Sequence, residues 1–231
     1  MALDAHTRRA MFEVVIFDLD GLLIDSEPLQ FRAYRDAFAN SGVILELSDW
    51  PQWHSLEASA ARWIAAYNLP VNAEKIRAEK KILYEVLIEK ELTLKPGARK
   101  LVETLSRHCR LCIASGSRPE SIEACLNRFS LTPYFERQFS ATQLERKKPY
   151  PDVYIEALSK MQVSPQRTLA IEDSVTGLQA ASSAGISCVV CPDTFMPTSL
   201  SDYDGATLVV DSLEDLTLPK LEQLASEQSG S

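Results

Sequence analysis

The sequence predicts an α/β fold: a doubly wound, Rossmann-like parallel sheet interrupted by an inserted all-helical cap. Three observations predict it. Short apolar runs recur along most of the chain, segments of helical spacing lie between them, and from Pro28 to Leu92 that alternation stops and only helical patterns remain. Runs of Val, Ile and Leu without polar alternation mark strands buried on both faces. Strands that alternate with helices imply a layered parallel sheet.

The first strand is VVIF, residues 14 to 17, and it runs directly into Asp18-Leu19-Asp20-Gly21. The inserted module follows, with helical patterns FRAYRDAFANSG, SLEASAARWIAAYN and AEKIRAEKKILYEVLIEKE. Its expected hinges are Glu27-Pro28 and Leu94-Lys95-Pro96-Gly97, because Pro and Gly punctuate both crossings. LCIAS at 111 to 115 is the next strand, and SRPESIEACLNRF at 117 to 129 reads as a helix with Ser117 as N-cap and Glu120 completing a capping box. RQFSA at 137 to 141 is a shorter strand candidate. PDVYIEALSKM at 151 to 161 opens on Pro151 in a first-turn position and offers Val153, Ile155, Ala157, Leu158 and Met161 as a buried face. TLAIE at 168 to 172 is a strand, TGLQAASSAG at 176 to 185 a helix closing on Gly185 as C′ residue, and CVV at 188 to 190 and LVV at 208 to 210 are the last strands. The expected organisation is a catalytic core of residues 12–27 and 93–215, a helical cap domain of 28–92, and flexible termini at 1–11 and 222–231.

Composition narrows the partners. Lys and Arg number 24 against 32 Asp and Glu, a formal charge of -8, so no general attraction to nucleic acid or anionic lipid is expected. No stretch of 18 apolar residues occurs, and the opening MALDAHTRRAMFE lacks an apolar run behind its arginines, so neither membrane spanning nor export is expected. A cytoplasmic protein, monomeric rather than oligomeric, is the expectation. The five cysteines include two C-x-x-C spacings, Cys109 to Cys112 and Cys188 to Cys191. Both lie in strand-like runs, where residues i and i+3 point to opposite faces, so neither pair suits a zinc ion or a redox pair.

In an open parallel sheet, ligands gather beyond the carboxyl ends of the strands. Those ends carry Asp18 and Asp20, then Ser115, Gly116 and Ser117, then Lys147 and Lys148, then Glu172 and Asp173. Carboxylates this crowded repel one another unless a hard cation sits among them, and Mg²⁺ takes a few carboxylates plus substrate phosphate. A carboxylate can attack phosphorus, a second acid can move protons, and lysine and hydroxyls can hold the charge of a transferring phosphoryl group.

With those residues in order, the chain resembles the haloacid-dehalogenase-like (HAD) superfamily, within it the β-phosphoglucomutase-like phosphatases with a small helical cap. Four motifs over residues 12 to 215 carry the resemblance: DLDG at 18 to 21, Ser115, KPYPD at 148 to 152 and IEDSVTG at 171 to 177. The resemblance implies Asp18 as nucleophile, Asp20 as general acid/base with its carbonyl facing the metal, Ser115 binding the phosphoryl group, and Lys148 stabilising nucleophile and developing charge. It implies Mg²⁺ held by Asp18, Asp20, Asp173 and Glu172. Gly116 and Ser117 would assist phosphate binding. Asp25 reads as a hinge or supporting acid, and Lys147 as a solvated neighbour.

Two departures bear on activity. Mutases of this kind carry a cap His twelve residues after the nucleophile, and here that position is Gln30, which cannot shuttle protons. They also carry G-x-S-R in the cap's substrate loop, whereas Trp53-His54-Ser55-Leu56 stands here without the arginine that would clamp a second phosphate. Gln30, Trp53 and Ser55 are therefore the cap-side candidates for substrate contact. Trp50, Trp53 and His54 form either an aromatic wall for substrate or plain cap packing. Lys80 and Lys81 either reach substrate or are solvated. The acid at position 20 argues against dehalogenation, since a departing halide needs no proton. The expectation is a Mg²⁺-dependent phosphatase acting on a small phosphorylated metabolite, a sugar phosphate first, through an aspartyl phosphate. The alternatives are a sugar phosphomutase, a non-catalytic phosphate-binding module on the same fold, and a zinc or thiol-redox protein.

Overall fold

The computed structural model describes residues 12–51, 59–195 and 199–229. Its strands are β1 (Val14–Phe17), β2 (Arg110–Ser115), β3 (Arg137–Ser140), β4 (Thr168–Glu172), β5 (Ser187–Val190) and β6 (Leu208–Val209). They form one sheet in the order β3-β2-β1-β4-β5-β6, every pair parallel. The chain leaves β1 toward β2 and β3, then returns to the other side of β1 for β4. The strand order reverses at β1, which is where a crevice opens in such sheets.

Every residue of β1 and β4 is buried, as the unbroken apolar runs require when helices cover both faces. The helices of this unit are α4 (Ala98–Leu105), α5 (Pro119–Arg128), α6 (Asp152–Met161), α7 (Val175–Ser183) and α8 (Leu218–Ser229). Helix α6 packs on β2 and β3, and α7 on β4 and β5. Val14, Ile16, Cys112, Ala114, Tyr154, Ala157 and Ala170 belong to one buried cluster between sheet and helices.

Three expectations change here. Helix α5 starts at Pro119 with Arg118 as its cap residue, not at Ser117. Pro119 supplies the preset φ of a first turn, and Ser117 uses its hydroxyl elsewhere. On α6 the buried residues are Val153, Tyr154, Ala157 and Met161, and Ile155 is 52% exposed. At about 100° per residue, position 155 lies on the far side from 153 and 157, so Ile155 does not belong to the expected face and Tyr154 takes its place. The segment from 222, expected to be flexible, is helical to Ser229, because Leu221 and Ala225, one turn apart, are both buried.

The second compact unit is Asp25–Thr93 with Thr194–Pro197; the first takes the chain up to Ile24, Leu94–Asp193 and the remainder. The second unit is built from α1 (Glu27–Ala39), α2 (Ala60–Ala66) and α3 (Ala73–Glu91). Asn72 caps α3 by accepting from the N–H groups of Glu74 and Lys75 at 2.8 and 3.0 Å. Helices α1 and α3 lie together, joined by Arg32 donating to Glu91 at 2.5 and 3.0 Å and Asn40 to Glu79 at 2.5 Å. Phe31, Phe38, Trp50, Trp63 and Ile76 are its core, with Phe195 packed against them. Where the chain passes between the units, its two strands run antiparallel: Ile24 bridges Leu94, and Lys95 N–H donates to the Leu23 carbonyl at 2.9 Å.

Candidate active site

The register of the sheet assembles the centre of the site. Phe17 pairs with Ile113 on one side and Ile171 on the other, so the next row across the three central strands is Ala114, Asp18 and Glu172. Lys148 caps that row. Its ammonium donates to Asp18 Oδ1 at 2.5 Å, to the Ala114 carbonyl at 2.9 Å and to Glu172 Oε1 at 2.6 Å. A lysine has three N–H donors, and all three are used on one row. The Lys148–Pro149 peptide is cis.

Burial sets the electrostatics. Glu172 is fully buried and Asp18 is 6% exposed. Burial pushes the Asp18 carboxyl up to about 7; Lys148 pulls it down, while the charges of Glu172 and Asp20 push it further up. Burial disfavours the Lys148 ammonium too, but Asp18 and Glu172 outweigh that and raise its pKa above the ordinary lysine value.

Asp20 lies two residues on, past the end of β1, in a tight turn where Gly21 N–H donates to the Ile24 carbonyl at 3.0 Å. Gly21 has φ +79°, and a Cβ there would stand 2.2 Å from Asp173 Oδ2, so both the backbone angle and the space require glycine. Asp20 Oδ2 accepts from the Ser117 hydroxyl at 2.7 Å and from that of Ser115 at 3.3 Å. Ser115 is wholly buried and its oxygen also accepts from Ser117 N–H at 3.0 Å. Gly116 is exposed, with open space where a Cβ would sit.

Asp18, Glu172 and Asp173 each offer an oxygen within 4.8 Å of the others, the group among the described residues able to hold an ion. The donor set fits a hard divalent cation. It is all carboxylate, two of its three members are buried, those two share the Lys148 ammonium, and Glu172 Oε2 is buried without a hydrogen-bond partner. The Glu172 carboxylate lies against the first turn of α7, where Gly177 makes room for it: a Cβ on Gly177 would be 1.9 Å from Oε2.

Two residues of this site escaped the sequence reading. Tyr154 on α6 is fully buried and its hydroxyl donates to Glu172 Oε1; correct helical phasing from Ala157 and Met161 would have turned it inward. Asp193, just beyond β5, is 3% exposed, is paired with Lys95 at 3.4 Å, and would lie 3.2 Å from a Cβ on Gly21. Pro192-Asp193 reads as an ordinary turn, and nothing local marks it.

The other candidates fall elsewhere. Lys147 is exposed, and Gln30 is half-buried on the first turn of α1. Trp53, His54 and Ser55 lie outside the described residues. Trp50 is 2% exposed and packs edge-on against Phe31 at 5.3 Å, so it is core of the helical unit rather than a substrate wall. Lys80 stacks over the rings of Tyr34 and Tyr84, at 5.0 and 4.2 Å, and Lys81 pairs with Glu85 at 3.9 Å. All five cysteines are free, and burial pushes the Cys109 thiol up to about 12 and those of Cys125 and Cys191 to about 11, far from the thiolate that zinc or redox chemistry uses.

Comparison with known proteins bears on this geometry. Residues 12–185 match the family model for haloacid dehalogenase-like hydrolases. Hexitol phosphatase B of Escherichia coli (strain K12) is 34% identical over 215 residues, covering 89% of this chain and 95% of that protein. Protein CbbY of Cereibacter sphaeroides is 31% identical over 225 residues, covering 89% and 94%. The crystal structure of a CbbY mutant from Rhodobacter sphaeroides in complex with xylulose-(1,5)bisphosphate superposes with a TM-score of 0.78 at 28% identity, covering 91% of this chain and 99% of that one.

Proposed function

The chain belongs to the haloacid dehalogenase-like hydrolases and is a phosphatase by that kinship, and we propose that it hydrolyses a small sugar phosphate, with Mg²⁺ bound and Asp18 as nucleophile. The observation that carries the reading is the row of Ala114, Asp18 and Glu172 under the Lys148 ammonium, with Asp173 close enough to share an ion. A relative named for hexitols and another crystallised with a sugar bisphosphate support the substrate class.

In this reading an Asp18 oxygen bonds to phosphorus as the bond from phosphorus to the leaving alcohol breaks, and protonated Asp20 gives that alcohol its proton. Water then attacks phosphorus, Asp20 takes a proton from it, and the bond from phosphorus to the Asp18 oxygen breaks to release inorganic phosphate. The Ser117 and Ser115 hydroxyls hold Asp20 Oδ2 in place for both transfers. Lys148 offsets the charge on Asp18 and opposes the effect of burial, favouring the anionic form of the nucleophile. Gly116, exposed just past β2, offers its N–H to a phosphoryl oxygen, while the N–H and hydroxyl of Ser117 are taken up by Ser115 and Asp20. Mg²⁺, held by Asp18, Glu172, Asp173 and the Asp20 carbonyl, would supply positive charge against the transferring oxygens. Five unpaired cysteines support a reducing, cytoplasmic setting.

The test is inorganic phosphate release from a panel of sugar and polyol phosphates, with and without Mg²⁺, comparing wild type with Asp18→Asn. Release that needs both Mg²⁺ and Asp18 is expected. Release surviving Asp18→Asn would overturn the phosphoenzyme route. An isomerised sugar phosphate without net release would make the protein a mutase, against the glutamine at position 30.

A further inference from the structure

We infer that Tyr154 is a positioning residue of this site, whose hydroxyl holds the Glu172 carboxylate in its metal-facing orientation and so leaves Lys148 free to be shared with Asp18. The inference rests on the phosphatase reading above.

The geometry that carries it is a competition for one ammonium. Lys148 lies between two buried acids, 2.5 Å from Asp18 Oδ1 and 2.6 Å from Glu172 Oε1. Glu172, with no exposure, is the more deeply buried of the two, and a buried carboxylate needs several donors to persist as an anion. Its Oε2 has no hydrogen bond and is pressed against Gly177, so every donor Glu172 has reaches Oε1. Two do so: Lys148 and the Tyr154 hydroxyl. Without that hydroxyl, Lys148 would be the single donor left to Glu172, and the ammonium would be drawn toward it and away from the nucleophile. The carboxylate, held at one point instead of two, would also be free to swing from the orientation that turns it to Asp18 and Asp173.

Tyr154 is placed to do this with little freedom. It lies on α6, six residues after Lys148, and the helix that buries its ring against the sheet carries the hydroxyl to the end of β4. The Lys148 ammonium lies 5.4 Å from the centre of the same ring, so a single side chain contacts both members of the Lys148–Glu172 pair, one through its face and one through its hydroxyl. Phenylalanine would keep the ring, the packing and the cation contact, and would remove the hydroxyl alone.

Tyr154→Phe is therefore the informative variant, with Glu172→Gln and the double variant completing a cycle. Three readouts are taken: thermal melting, Mg²⁺ affinity by titration calorimetry on the metal-free protein, and kcat and KM for phosphate release. The fold is expected to persist, Mg²⁺ affinity to fall about tenfold, and kcat to fall about tenfold with KM within about twofold, the scale usual for groups that orient metal ligands. In the Glu172→Gln background the same change should do almost nothing, because Tyr154 acts through Glu172; a purely packing role would give equal losses in both backgrounds. Unchanged Mg²⁺ affinity and kcat in Tyr154→Phe, with normal wild-type turnover, overturn the inference alone, as does additivity in the cycle. A wild type that binds no Mg²⁺ overturns it together with the reading on which it rests. A wild type that binds Mg²⁺ but releases no phosphate from any substrate removes the phosphatase reading, while the calorimetric cycle still decides Tyr154.

Discussion

Asp18 carries the sharpest consequence at the scale of a single residue. Its carboxyl moves from an ordinary 3.8 to about 7 in the folded, metal-free protein, chiefly through burial. Between those values the folded state keeps a proton that the unfolded chain has released, so stability from this group is full below about pH 4 and is lost as pH rises toward 7. Melting curves in EDTA should therefore show wild type losing ground against Asp18→Asn across that interval; parallel curves would mean that the acid is not desolvated as described. Gly21 gives a second prediction. Alanine there meets Asp173 Oδ2 at 2.2 Å and must hold φ near +79°. The backbone strain alone costs about 1–2 kcal/mol, read by urea unfolding, and the displaced Asp173 should weaken Mg²⁺ binding measured by calorimetry.

At the scale of elements, the site is a product of strand register and helix phase. The row under Lys148 exists because β1 pairs with β2 and β4 so that Phe17, Ile113 and Ile171 are level. A helix start serves the same purpose on the other side, since α7 begins close enough to the end of β4 that residue 177 must be glycine to accommodate Glu172. Gly177→Ala is expected to destabilise the protein by about 1–3 kcal/mol, as forced overpacking does, and to abolish most phosphate release; a variant of unchanged activity would show that Glu172 can move without consequence. In the helical unit Trp50 is the element-scale anchor, buried against Phe31 and Tyr34. Trp50→Ala should cost about 3–5 kcal/mol, as loss of a buried Trp does. Limited proteolysis should then cut within 25–93 before it cuts the α/β unit. Equal resistance of wild type and Trp50→Ala would mean that Trp50 is not the core of that unit.

For the whole molecule, a cation held at the crowded carboxylates would tie folding to its own binding. A cation that binds only the folded state stabilises it by mass action, about 2.7 kcal/mol at a hundredfold excess over its dissociation constant. Melting temperature is thus expected to rise with Mg²⁺ and fall back on chelation, and Asp173→Asn should blunt the response; a melting temperature indifferent to Mg²⁺ would count against the acidic cluster as a metal site. The parallel sheet and the order of its strands along the chain were legible in the sequence, and Asp18, Asp20, Glu172 and Asp173 stood out as candidates, because each rests on a local signal, an unbroken apolar run or acids at the end of one; Lys148 was singled out by its KPYPD motif. The roles of Tyr154 and Asp193 were not legible, Ser117 and the last helix were read differently, and Trp50 and Lys80 were left open between substrate contact and packing or solvation, because each is decided by a partner remote in the chain. Ser117 serves Asp20 from 97 residues away, Tyr154 serves Glu172 from 18, and Leu221 and Ala225 hold a helix only because there is a surface to bury against. Local pattern determined which residues form strands and which reactive groups lie at their ends, since backbone periodicity and apolar content act over a few residues. Tertiary structure alone decided how those groups share one ammonium, one candidate metal site and one buried hydroxyl, since desolvation and hydrogen bonding depend on what the rest of the chain brings alongside.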